Sequence, residues 1–147
     1  MSVVSSFVDM LRASYHTAGL TALLSAGLYI SYASYQDNIE KQLHVYNATK
    51  ITSVIQLGFY EGWIDRPAED EEIQVSIQQL RTMGDIPMLR DPSGGGLYDE
   101  ESSFVRIEKE AGNVIFYIKL KKQNIDHVYI KDDVDIIDLT KDQVTVP

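Results

Sequence analysis

Residues 13–58 read ASYHTAGLTALLSAGLYISYASYQDNIEKQLHVYNATKITSVIQLG, and the placement of their charges decides the architecture. Between Arg12 and Asp37 lie 24 residues with no formal charge. As a helix rising about 1.5 Å per residue, such a run is about 36 Å long, enough for ~30 Å of hydrocarbon. Its strongest part, Leu20 to Tyr35, is rich in Ala, Ser, Gly and Tyr rather than Leu, Ile and Phe. Small residues let helix backbones approach closely. Ala22 and Ala26 are four apart, as are Gly27 and Ser31, and these four are the predicted helix-packing residues. Tyr29, Tyr32 and Tyr35 recur every third residue toward the charged flank and are predicted to form a membrane–water interface belt. The stretch therefore reads as a membrane or protein-assembly helix. A buried helix of a soluble bundle and a secretory signal peptide are the alternatives.

Beyond Gln36 the helix continues. No proline or glycine occurs between Asp37 and Gly58, and Ile39, Leu43, Tyr46, Ile51, Val54 and Ile55 keep an amphipathic spacing. One long helix over 20–58 is predicted, with its membrane or assembly half at 20–36. Residues 1–19 form a lead-in in which Val4, Phe7, Val8 and Leu11 recur at helical spacing. Residues 59–147 form a globular acidic head.

Charge supports that division. Residues 1–36 hold one acid and one base, Asp9 and Arg12, so the whole net charge of −9 lies on residues 37–147. So acidic a chain repels nucleic-acid phosphate, and no nucleic-acid partner is expected. The absence of cysteine excludes disulfides, thiolate metal sites and a cysteine nucleophile.

In the head, Phe59 to Trp63 reads as an aromatic collar and Pro67 to Glu72 as an acidic loop. Ile73, Ile77, Leu80 and Met83 predict a short helix stopped at Gly84. Pro87, Pro92 and Gly94 to Gly96 mark turns. Strands are expected at 104–109, 114–121, 128–131 and 134–139, with a hairpin turn at Glu110 to Asn113 and another turn at Asn124 to Asp126. The fold class is α+β, a long N-terminal helix packed on a small antiparallel sheet.

Chemistry is sparse. The glycine run at 94–96 lacks the lysine and helix start of a phosphate loop. Asp132, Asp133, Asp135 and Asp138 read as a solvated strand edge, with calcium binding as the lesser alternative. His16, His44 and His127 fall in three separate segments, with no order of Ser, His and Asp that marks catalysis. No enzyme activity, cofactor or resident metal is expected. Asn47-Ala48-Thr49 matches a glycosylation sequon inside a predicted helix and reads as chance.

A spike-like N-terminal helix followed by loops and an antiparallel sheet resembles the type IV pilin-like family. Ser34-Tyr35-Gln36-Asp37-Asn38-Ile39 is similar to the stretch many pilins carry where the helix leaves the membrane. Leu80 before Gly84, Ile86-Pro87-Met88, and Asp91-Pro92 with its glycines are similar to type IVb and conjugative minor pilins. Pilins carry an acidic fifth mature residue, whereas counting from Gly19 or from Met1 gives Leu24 or Ser5. The resemblance implies a structural subunit of a pilus-like filament or membrane-anchored assembly. It would pack through its N-terminal helix against copies of itself or other subunits, with the lipid bilayer as a further partner. It further implies a single span with the head outside the cytoplasm. The alternative is a single-span accessory subunit of a larger secretion or energy-transducing complex.

Overall fold

The computed structural model describes the backbone of residues 3–83 and 86–147, and side chains from residue 22 onward within that range. The chain is α+β. Its contacts divide it at Asp37/Asn38 into two units. One helix, α1 (Val3–Glu61), contributes to both. It runs through the predicted boundary at residue 20 and past the predicted end at Gly58. The side chains of the lead-in, His16 among them, lie outside the described residues.

In the first unit, every side chain from Ala22 to Tyr35 is exposed. Among the described residues, no helix is long and apolar enough to cross a membrane. This overturns the predicted transmembrane helix and the single-span membrane localisation. The physical reason lies in the composition: Ala, Ser, Gly and Tyr make a run uncharged without making it strongly apolar.

In the second unit, residues 38–61 of α1 supply a core face. His44, Ala48, Ile51 and Ile55 follow one another by four, three and four residues, and all are buried. Ala48, Ile51 and Ile55 join one cluster with Val105, Ile107, Phe116, Ile118 and Leu120. The helix ends where Gly62, at φ +80°, turns the chain back. The amides of Gly62, Trp63 and Ile64 all donate to the Gly58 carbonyl, at 2.9, 3.1 and 3.3 Å. A β-carbon at Gly58 would meet two Ile64 side-chain carbons at 2.9 Å, so any larger residue there forces Ile64 to shift.

The sheet has the order β1-β2-β3-β4, with all neighbours antiparallel. Its strands are β1 (Glu72–Ser76), β2 (Phe104–Glu110), β3 (Asn113–Lys121) and β4 (Val128–Ile130). The β2–β3 hairpin turns at Ala111 and Gly112, both with positive φ, as a two-residue turn between twisted strands requires. Phe116, Ile118 and Leu120 alternate on the buried face of β3.

Two elements differ from expectation. The predicted helix around 73–83 is a strand followed by a helix, α2 (Ile77–Met83). Ser76 separates them: its Oγ accepts from the Gln79 amide at 3.1 Å, and Gln79 Oε1 accepts from the Ser76 amide at 2.8 Å. That reciprocal pair is a capping box, which starts the helix at Ile77. The predicted stop at Gly84 lies outside the described residues. The predicted strand at 134–139 is a run of turns, held to the sheet by the Ile136 amide donating to the Phe116 carbonyl at 2.8 Å.

Candidate functional site

Two regions are candidates: the exposed helix at 22–35 and a buried polar cluster in the head.

The predicted packing residues Ala22, Ala26, Gly27 and Ser31 are all exposed, and beyond the adjoining helix backbone and its two neighbours no atom lies within 4 Å of where a Gly27 β-carbon would stand. Around them project Leu23, Leu24, Leu28, Tyr29, Ile30, Tyr32 and Tyr35, from 61% exposed at Leu24 to 74% at Tyr29. At 100° per residue these seven side chains point to every side of the helix rather than to one stripe. Tyr29, Tyr32 and Tyr35 therefore remain exposed aromatic surface but lose the meaning of a membrane belt. The Tyr32 hydroxyl accepts from Gln36 Nε2 at 2.8 Å, one turn along.

The second region was not legible as a site in the sequence. His44 is fully buried on the core face of α1. Its Nδ1 lies 2.8 Å from the Tyr98 hydroxyl, and its Nε2 lies 3.0 Å from Ser93 Oγ and 3.8 Å from Asp91 Oδ1. Asn47 Nδ2 donates to the Tyr98 oxygen at 3.1 Å. The Tyr129 hydroxyl donates to Asp91 Oδ2 at 2.5 Å, and the Ser93 amide donates to Asp91 Oδ1 at 2.8 Å. The Tyr129 ring stacks on His44 at 4.0 Å.

One tautomer pairs every group of the cluster. Tyr98 accepts from Asn47, and its own hydroxyl proton finds an acceptor in His44 Nδ1 when the imidazole proton is on Nε2. That imidazole proton then points to Ser93 Oγ. Ser93 hydrogen-bonds the Tyr129 hydroxyl, which in turn donates to Asp91 Oδ2. The chain of donors thus runs Asn47, Tyr98, His44, Ser93, Tyr129, Asp91. Burial holds His44 neutral, lowering its pKa to about 4 against the upward pull of Asp91; His127 and Lys122 add to the lowering. Burial likewise pushes both tyrosines above their ordinary range.

Ser93, His44 and Asp91 have the composition of a hydrolytic triad but not its geometry. A general base must offer a free nitrogen lone pair to the serine, with the carboxylate on the opposite nitrogen. In this tautomer Nε2 carries the proton, and Asp91 lies on that same side. The arrangement can clamp the Asp91–Gly96 turn to the helix, and it lacks the serine–imidazole–carboxylate order of a triad. Every buried side-chain nitrogen and oxygen among the described residues has a partner, as a structural clamp requires.

The remaining predicted positions are dispersed. His127 Nε2 contacts the Thr145 carbonyl at 2.9 Å. Asp132 faces Arg106, whose Nη2 donates to its carbonyl at 2.8 Å, and Asp135 accepts from the Ile137 amide at 3.1 Å. No group of three or more His, Asp or Glu side chains among the described residues is placed to hold a metal ion. Asn47 lies on α1 with its amide spent on Tyr98 and, at 3.3 Å, on the Arg90 carbonyl.

Comparison with protein families, with characterised proteins and with solved structures finds no match to this chain.

Proposed function

We propose that the chain is a structural subunit that assembles through residues 22–35 of α1, in a filament or bundle where other helices surround that segment. One observation carries this reading: seven large apolar side chains stand exposed on all sides of one helical stretch. Exposed singly, such residues are ordinary; contiguous, they mark an interaction surface. A helix apolar all round belongs in the interior of something larger. A single partner would cover one stripe and leave the rest in water, so several neighbours are needed. Ala22, Ala26, Gly27 and Ser31 would let their backbones approach closely. The resemblance to pilin-like subunits supports the same reading. No catalytic role is assigned to the head, and the His44 cluster is read as its internal clamp.

Sedimentation of the purified full chain tests the proposal. Wild type is expected to form large particles, and Ala26→Leu or Gly27→Leu to remain folded but lose them. Overpacking a tight contact typically costs ~1–3 kcal/mol, and in a repeating array the cost recurs at each copy. A wild-type chain that stays monomeric at all concentrations would contradict self-assembly.

A further inference from the structure

The core-facing residues of α1 in the head leave the opposite face of the helix to solvent. On that face Leu43, Tyr46, Lys50, Ser53, Leu57 and Tyr60 follow one another at spacings of three, four, three, four and three. All six are exposed, with Leu43 at 45%, Leu57 at 49%, Tyr46 at 61% and Tyr60 at 85%. An alternation of three and four is the seam along which two helices pack side by side. At 100° per residue the seam lies about opposite His44, Ala48, Ile51 and Ile55.

Two further features favour a second copy as the occupant. From Gln42 to Tyr60 the only formal charge is Lys50, in a chain that is 24% charged with a net −9. Charge depletion of this kind marks the centre of an interface rather than a solvated helix face. The order Leu-Tyr-Lys-Ser-Leu-Tyr is also complementary to itself when reversed. A two-fold axis midway along the seam places Leu43 against Tyr60, Tyr46 against Leu57 and Lys50 against Ser53. Each aromatic then meets an aliphatic, and each Lys50 faces a Ser53 rather than the other Lys50. A parallel pair in register would set Lys50 against Lys50.

We propose that α1 pairs antiparallel along this seam with α1 of a second copy. The contact is isologous. It uses none of the residues at 22–35 and goes beyond the assembly assigned to them.

The chain has no cysteine, so single cysteines report the pairing directly. Full-length Leu43→Cys and Tyr60→Cys chains, one carrying a size tag, are mixed and oxidised. A disulfide needs Cα atoms within about 7 Å. The mixed disulfide is expected to exceed both homodimers severalfold, and to exceed the dimer from Ile137→Cys, an exposed position away from the seam. Adding Tyr46→Glu should abolish the mixed product, whereas adding Gly27→Leu should leave it intact, which separates this contact from assembly through 22–35. Predominant homodimers, or a yield no higher than the Ile137→Cys control, would overturn the proposal.

Discussion

His44 Nε2 lies 3.0 Å from Ser93 Oγ, and this contact fastens α1 to the turn that follows Asp91. The ring is buried, stacked and hydrogen-bonded at both nitrogens, so His44→Leu would remove two bonds and leave the Tyr98 proton without its acceptor. A loss of about 2–4 kcal/mol in unfolding free energy is expected. Urea denaturation followed by circular dichroism measures it, and a loss under half a kcal/mol would contradict the clamp.

The same burial makes stability depend on pH. The His44 pKa falls from 6.5 to about 4 on folding, so the native state binds fewer protons in that interval than the unfolded chain. Stability is therefore fully present above pH 6.5 and declines as pH falls toward 4, by on the order of 3 kcal/mol. Carboxylates titrate in the lower part of this window. The informative quantity is thus the difference between wild type and His44→Asn, measured from pH 7 to pH 5. The wild-type slope is expected to be the steeper; equal slopes would show that His44 contributes nothing.

Gly58→Ala should destabilise the head although alanine is the better helix former. The added β-carbon would stand 2.9 Å from two Ile64 carbons and 3.0 Å from Trp63. Overpacking of ~1–3 kcal/mol exceeds the ~1 kcal/mol that alanine regains in a helix. Pairing it with Ile64→Val should recover part of the loss in thermal melts.

Arg106 joins three carboxylates, those of Glu72 and Glu108 on the sheet and Asp132 in the turn after β4, and covers the Tyr117 ring at 4.1 Å. Arg106→Lys keeps the charge but loses the planar fork and the stacking, so it should cost about 1–2 kcal/mol. Arg106→Met should cost more at low salt than at high salt, because it leaves acids facing one another. Denaturant midpoints at two ionic strengths give the comparison.

Much of the head was legible in the sequence, because its signals were local. Phe116, Ile118 and Leu120 alternate, Ala111-Gly112 turns the hairpin, and Ile51 and Ile55 keep a helical period; each fixed its element without reference to the rest. Strand β1 was hidden because Ile73, Ile77 and Leu80 also fit a helical period. The readable cue was Ser76 with Gln79, whose capping box moves the helix start to Ile77. The turns at 134–139 were mistaken for a strand because Val134, Ile136 and Leu139 are apolar, yet they pack through single contacts. The polar cluster was hidden for another reason. His44, Ser93 and Tyr129 meet only after folding, and the sole sequence cue was His44 occupying the core period of Ala48 and Ile51. The membrane span failed on magnitude: 24 residues without charge have the length to cross a bilayer, but Ala, Gly, Ser and Tyr do not supply the hydrophobicity.

The most direct test of assembly through α1 is solvent access to that helix in the native particle. Leu28→Cys, in a chain otherwise free of cysteine, is reacted with a water-soluble maleimide and compared with Ile137→Cys in the head. If the segment is surrounded by neighbouring helices, Leu28→Cys should react at least about tenfold more slowly, a difference of about 1.4 kcal/mol in access. The protection should vanish when Gly27→Leu is added. Equal reactivity at the two positions, in particles of any size, would contradict the account.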